Sequence, residues 1–141
     1  MTICQSGTER PTHHRRRIRD RHGAPELQHH IMQDAELREL LDATVAGGFD
    51  VEEALLRRPT RGVARIALAR QVAMYLAHVA CGLTKADVGR LFERDRTTAH
   101  HACVVVEYRR DNKAFDHAID HLERIVRIVV GARRVPCPVW R

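Results

Sequence analysis

The sequence predicts an all-α domain of six helices flanked by two polar tails, and three patterns carry that expectation. From about residue 31 to residue 130 the apolar residues recur at helical spacing, with no run of strict alternation that would argue for a sheet. Two residue pairs, Asp50 with Glu53 and Thr84 with Asp87, have the spacing of capping boxes, in which two side chains satisfy amides that a helix start leaves open. Glycines and prolines fall between the periodic stretches, where a chain stops or turns.

Residues 1–30 read as a disordered tail. They are polar, hold Pro11 and Pro25, and carry the run His13-His14-Arg15-Arg16-Arg17-Ile18-Arg19-Asp20-Arg21-His22, which buries no apolar surface and stays solvated. The first helix is expected over 31–46, with Gly47-Gly48 as its stop. A short second helix starts at the Asp50 cap and ends before Pro59. The third covers about 63–81, with Ile66, Ala69, Ala73, Leu76, Ala77 and Ala80 near helical spacing, and it ends before Gly82. Thr84 opens a fourth, 85–92, whose Val88, Leu91 and Phe92 face inward. The fifth runs from Arg96 to about Arg110. The sixth, about 113–130, has the clearest stripe: Phe115, Ala118, Ile119, Leu122, Ile125, Val126 and Val129 against a mostly charged face. Gly131 reads as its stop and 131–141, with Pro136 and Pro138, as a second tail, so the domain proper spans 31–130.

One domain of this kind fits in 141 residues, and a core of that size folds without a metal or a disulfide. Lys and Arg number 24 against 18 Asp and Glu, a formal net charge of +6. A basic domain prefers polyanions, with nucleic acid first and anionic membrane second. The most apolar stretch, 63–81, is broken by Arg65, Arg70 and His78, so no membrane-spanning helix is expected. The N-terminal residues lack the apolar core of a secretory signal. Cys4, Cys81, Cys103 and Cys137 are scattered and form no C-x-x-C pair, which suits reduced thiols in the cytoplasm. With no nucleophile elbow and no Gly-rich cofactor loop, neither enzymatic activity nor a cofactor is expected. His117 and His121 have the i, i+4 spacing that aims two ligands at one ion, but no third ligand is evident. They read as a surface pair, and no metal is expected.

The fourth and fifth helices carry the function. A capped two-turn helix, a tight polar turn at Glu93-Arg94-Asp95 and a longer helix form the layout of a helix-turn-helix. On the fifth helix Ala99, Ala102, Cys103 and Val106 fall at core spacing, which leaves Arg96, Thr97, Thr98 and, one turn on, His101 exposed; Tyr108 extends the Thr97–His101 stripe. Arginine can fork onto guanine O6 and N7, and a threonine methyl can touch the thymine methyl in the major groove. Free amides in the same first turn suit a phosphate. An ordinary helix start would use Asp95 as its N-cap and nothing more.

The segment Arg94-Asp95-Arg96-Thr97-Thr98-Ala99-His100-His101-Ala102-Cys103 resembles the signature of the C-terminal DNA-binding domain of the bacterial replication initiator DnaA. Upstream, Ala69-Arg70-Gln71-Val72-Ala73-Met74-Tyr75-Leu76-Ala77 is similar to that family's basic RQxAMYLA helix, and Asp50–Leu56 to its short first element; the likeness covers about 35–127. The resemblance implies that Asp95, Arg96, Thr97 and Thr98 face bases and that His101 meets the backbone nearby, with Arg94 at the head of the same set. It implies phosphate contacts for Arg70 and Gln71, a place against the DNA for Lys85, and a minor-groove arginine that is either Arg61 or Arg65. The implied partner is double-stranded DNA, bound by a monomer, with competition for sites by the full-length initiator.

Three departures stand out. Arg96 takes the place of the family's histidine, Glu93 alone takes the place of Gly-Gly, and His100 takes the place of an apolar residue. No G-x-x-x-x-G-K-[ST] is present, so no ATP switch is expected. The competing class is a helical protein–protein module that docks through the sixth helix and has an incidental basic face.

Overall fold

The computed structural model describes residues 32–59 and 62–134, and every regular element among them is a helix. These are α1 (Asp34–Phe49), α2 (Glu53–Leu56), α3 (Ala64–Val79), α4 (Lys85–Leu91), α5 (Arg96–Arg109) and α6 (Lys113–Arg134). The predicted tail 1–30 lies outside the described residues, apart from which the six expected helices are all present.

The third helix is the axis of the domain. Val72, Ala73, Met74, Tyr75, Leu76 and Ala77 are consecutive and all buried, because α3 is covered on several sides, by α1, α2, α4, α5 and α6. A helix enclosed in this way shows no narrow apolar stripe. Leu37, Leu41 and Val45 of α1, Val88 of α4, Ala99, Ala102 and Val106 of α5, and Ile119, Leu122 and Val126 of α6 complete the core.

Three helix ends differ from expectation. Gly47-Gly48 does not stop α1, which continues to Phe49 and ends where Asp50 takes the left-handed conformation (φ 51°) and donates its amide to the Ala46 carbonyl. Gly48 instead permits helix packing, since a Cβ there would lie 2.9 Å from Leu122 Cδ2 of α6. With Asp50 used as the C-cap of α1, it cannot cap α2; Glu52 holds the N-cap of α2 and makes no side-chain capping bond. The Thr84–Asp87 capping box on α4 is formed in both directions.

Gly131 does not end α6 either. A helical glycine costs about 1 kcal/mol relative to alanine, and the turn around it is held by buried Val130 and by an Arg133–Glu36 ion pair to α1. The segment 131–134 therefore belongs to the domain, and 135–141 lie outside the described residues. The buried face of α6 is Ile119, Leu122, Val126 and Val130, with Phe115 partly buried; Ala118 and Ile125 of the expected stripe are exposed.

The corner between α5 and α6 is locked by one guanidinium. Arg110 donates to the Tyr75 hydroxyl (2.9 Å) and to Glu123 (2.7 Å), and it also pairs with Asp116 and Asp120. Burial works against its charge, but these hydrogen bonds hold its pKa above the usual arginine value.

Candidate nucleic-acid interface

Helices α4 and α5 meet across Glu93, Arg94 and Asp95, and Gly89 determines how closely. A Cβ on Gly89 would fall 2.7 Å from the Arg94 carbonyl oxygen and 3.2 Å from the Arg96 amide nitrogen, so the start of α5 packs directly on the α4 backbone. The Gly89 carbonyl accepts the Arg94 amide at 2.8 Å. Glu93 supplies the reversal with φ 53°, a left-handed conformation that a non-glycine residue adopts only at some cost. The turn, one residue shorter than the pattern it resembles, thus closes with Glu93 in place of two glycines.

This junction fixes α5 by its inner face. Ala99, Ala102, Cys103 and Val106 are buried, and burial pushes the Cys103 thiol pKa up. Arg94, Asp95, Arg96, Thr97, Thr98 and His101 are all exposed and lie together at the start of the helix. Their side chains make no hydrogen bond or ion pair among the described residues. Tyr108 is 78% exposed, so the Thr97–His101–Tyr108 stripe reaches solvent along the whole of α5.

Asp95 sits at the N-cap with extended backbone (φ −67°, ψ 150°), yet its carboxylate makes no capping bond. The helix-start reading therefore accounts for its position and leaves the carboxylate able to accept from a cytosine amino group. The first backbone bond of α5 runs from the Ala99 amide to the Asp95 carbonyl, and the amides of Arg96 to Thr98 point out of the helix end. His100 is exposed, and its Nδ1 lies 3.0 Å from Lys85 Nζ, so a polar residue at this position costs no burial and links the starts of α4 and α5.

The residues expected on α3 divide. Arg65 is exposed in the first turn, and Gln71 is half-buried. Arg70 is not a free surface cation: Nε donates to the Leu56 carbonyl (3.0 Å) and Nη2 to that of Leu55, which ties α3 to the end of α2. Arg61, the other minor-groove candidate, lies outside the described residues. His121 donates Nδ1–H to the His117 carbonyl at 2.8 Å, and among the described residues no group of three or more metal-ligating side chains is assembled. No described helix is long and apolar enough to cross a membrane.

Sequence reasoning missed the residues that hold the turn from behind. Asp42, fully buried, accepts from Arg38 Nε (2.9 Å) and Arg57 Nε (3.0 Å). Arg38 in turn donates to the Leu91 carbonyl and stacks 4.2 Å over the Phe92 ring at the end of α4. The i, i+4 spacing of Arg38 and Asp42 was the available signal. The contact with Leu91, 53 residues away in sequence, was not readable.

A helix-turn-helix whose second helix presents an unpartnered polar face defines a DNA-binding protein. Residues 39–106 match the family described as the bacterial DnaA protein helix-turn-helix. The match begins within α1 and ends within α5, a shorter span than 35–127, and leaves α6 outside. A search of curated proteins found no match to the chain.

Proposed function

We propose that the protein is a sequence-specific binder of double-stranded DNA that regulates transcription or replication initiation, acting in the cytoplasm on the nucleoid. The observation that carries this reading is the first turn of α5, where Arg96, Thr97 and Thr98 are exposed and unpartnered among the described residues while the opposite face is buried. Phosphate contacts set the register, and the α5 start enters the major groove as a monomer. Arg96 reads a guanine edge, the threonine methyls touch thymine, and Asp95 accepts from cytosine. The reading assigns no catalytic step and no ATP.

Selection of bound sites from random duplexes tests the proposal. A single recovered consensus is expected; recovery of unrelated sequences alone sinks the claim of specificity. A consensus equal to the initiator's box favours a replication role in which the protein competes with full-length initiator, and a different one favours an independent transcription regulator. On the recovered site, Arg96→Ala is expected to relax one base position at a cost on the order of 1–3 kcal/mol. An equal loss on all sequences would reduce Arg96 to a phosphate contact.

A further inference from the structure

Behind the turn, α1, α2, α3 and α4 enclose a cleft of about 460 Å³ lined by five arginines: Arg38, Arg57, Arg70, Arg90 and Arg94. They come from distant parts of the sequence, and the fold gathers them. Arg38 and Arg70 form the floor, fixed by Asp42 and by the Leu55 and Leu56 carbonyls. Arg57, Arg90 and Arg94 form the rim. Arg57 is 52% exposed beside Asp42 and Glu53, Arg90 is 80% exposed beside Asp87, and Arg94 makes no ion pair among the described residues. Against the five guanidiniums the lining holds two carboxylates, Asp34 and Glu93.

Gathered cations repel one another: burial first, and then the charges of Arg94 and Arg38, lower the pKa of Arg70. An anion in the cleft relieves that repulsion. Its position selects the kind of anion. A second hollow shares Arg90, Glu93 and Arg94 with the cleft and continues past Asp95 to Thr98 on α5. The basic lining thus opens onto the face assigned to the major groove. The described lining of the cleft holds no glycine, and so offers no glycine-rich cradle of amides of the kind that grips a single polyphosphate. An open channel leading from α5 suits a strand that runs through it.

We propose that this cleft is a second phosphate seat for the same duplex, in which Arg57, Arg90 and Arg94 hold backbone phosphates over Arg38 and Arg70 while α5 reads the bases. The inference rests on the duplex reading of α5. Fluorescence anisotropy of the full chain on a labelled duplex carrying the selected site, from about 50 to 200 mM KCl, tests it. Arg90→Gln and the double variant Arg57→Gln/Arg90→Gln are expected to lower the slope of log K against log salt by about 0.9 per phosphate lost and to weaken all sequences alike.

Circular dichroism melting of each variant shows that it is folded, and Arg90→Gln, altered at a largely exposed side chain, decides the case if the double variant melts early. Wild-type slope in Arg90→Gln together with a folded double variant of wild-type slope overturns the second seat and leaves the α5 reading intact. Absence of salt-dependent duplex binding by the wild type overturns the α5 reading itself. Calorimetric binding of tripolyphosphate that the double variant loses, with its duplex slope unchanged, assigns the cleft to a free polyphosphate and overturns the DNA seat.

Discussion

Arg110 shows how much of this fold rests on single polar side chains. Its guanidinium is three-quarters buried and is shared by Tyr75 of α3 and by Asp116, Asp120 and Glu123 of α6. Arg110→Gln leaves three carboxylates facing one another and is expected to cost about 2–3 kcal/mol at neutral pH, the scale of a lost hydrogen bond to a charged group with some repulsion added. Urea denaturation of the two proteins checks this, and a variant as stable as the wild type would remove the guanidinium from the account. The same scale divides what the sequence made legible. The exposure of Arg96, Thr97 and Thr98 was readable because it depends on local helix geometry. The anchoring of Arg70 on α2 and of Arg38 on Leu91 depends on which distant carbonyls fold back onto each side chain, and local pattern does not contain that.

The α4–α5 pair is the element on which orientation depends, and its first turn is pH-sensitive by construction. The Thr84 hydroxyl, and after it the Arg90 guanidinium, hold the Asp87 carboxyl pKa below its usual value. A carboxylate with a depressed folded-state pKa adds stability above its unfolded pKa, and that stability is lost as pH falls through the folded value. Thr84→Ala is expected to cost about 1 kcal/mol near neutrality, the typical worth of an N-cap side chain. The cost shrinks, without vanishing, as pH falls below the usual carboxylate value and through the lowered value of Asp87. Thermal melts across that range give the answer, and a larger cost at acid pH would contradict the capping-box account. The sequence announced this cap correctly but misassigned its counterpart at Asp50, since residue type alone does not tell the end of α1 from the start of α2. The glycines misled for a related reason. A helix-ending glycine and one that admits a neighbouring helix look identical until the neighbour is in place, and Leu122 of α6 is the neighbour that decides for Gly48.

At the scale of the whole molecule, the family match stops at Val106, yet the core does not. Ile119, Leu122 and Val126 of α6 are buried against α1 and α3. Each such side chain contributes about 1.5–3 kcal/mol, so their joint loss of roughly 5–9 kcal/mol rivals the ~5–15 kcal/mol by which a domain is stable. A chain ending at Asn112 is expected to lose its cooperative melt and the dispersion of its amide NMR spectrum. A folded truncation would make α6 an accessory. The six-helix class was legible because periodicity and punctuation are properties of the chain, whereas the arginine cleft is a property of the assembled helices.

The unpartnered first turn of α5 has a consequence for how such a protein diversifies. Arg96, Thr97 and Thr98 support nothing else among the described residues, while Gly89, Ala99 and Cys103 hold the helix from behind. If α5 reads bases as proposed, exchange of the three outward side chains alters what is recognised and leaves the scaffold unchanged. Retargeting, by evolution or by design, therefore has a three-residue alphabet that is uncoupled from folding.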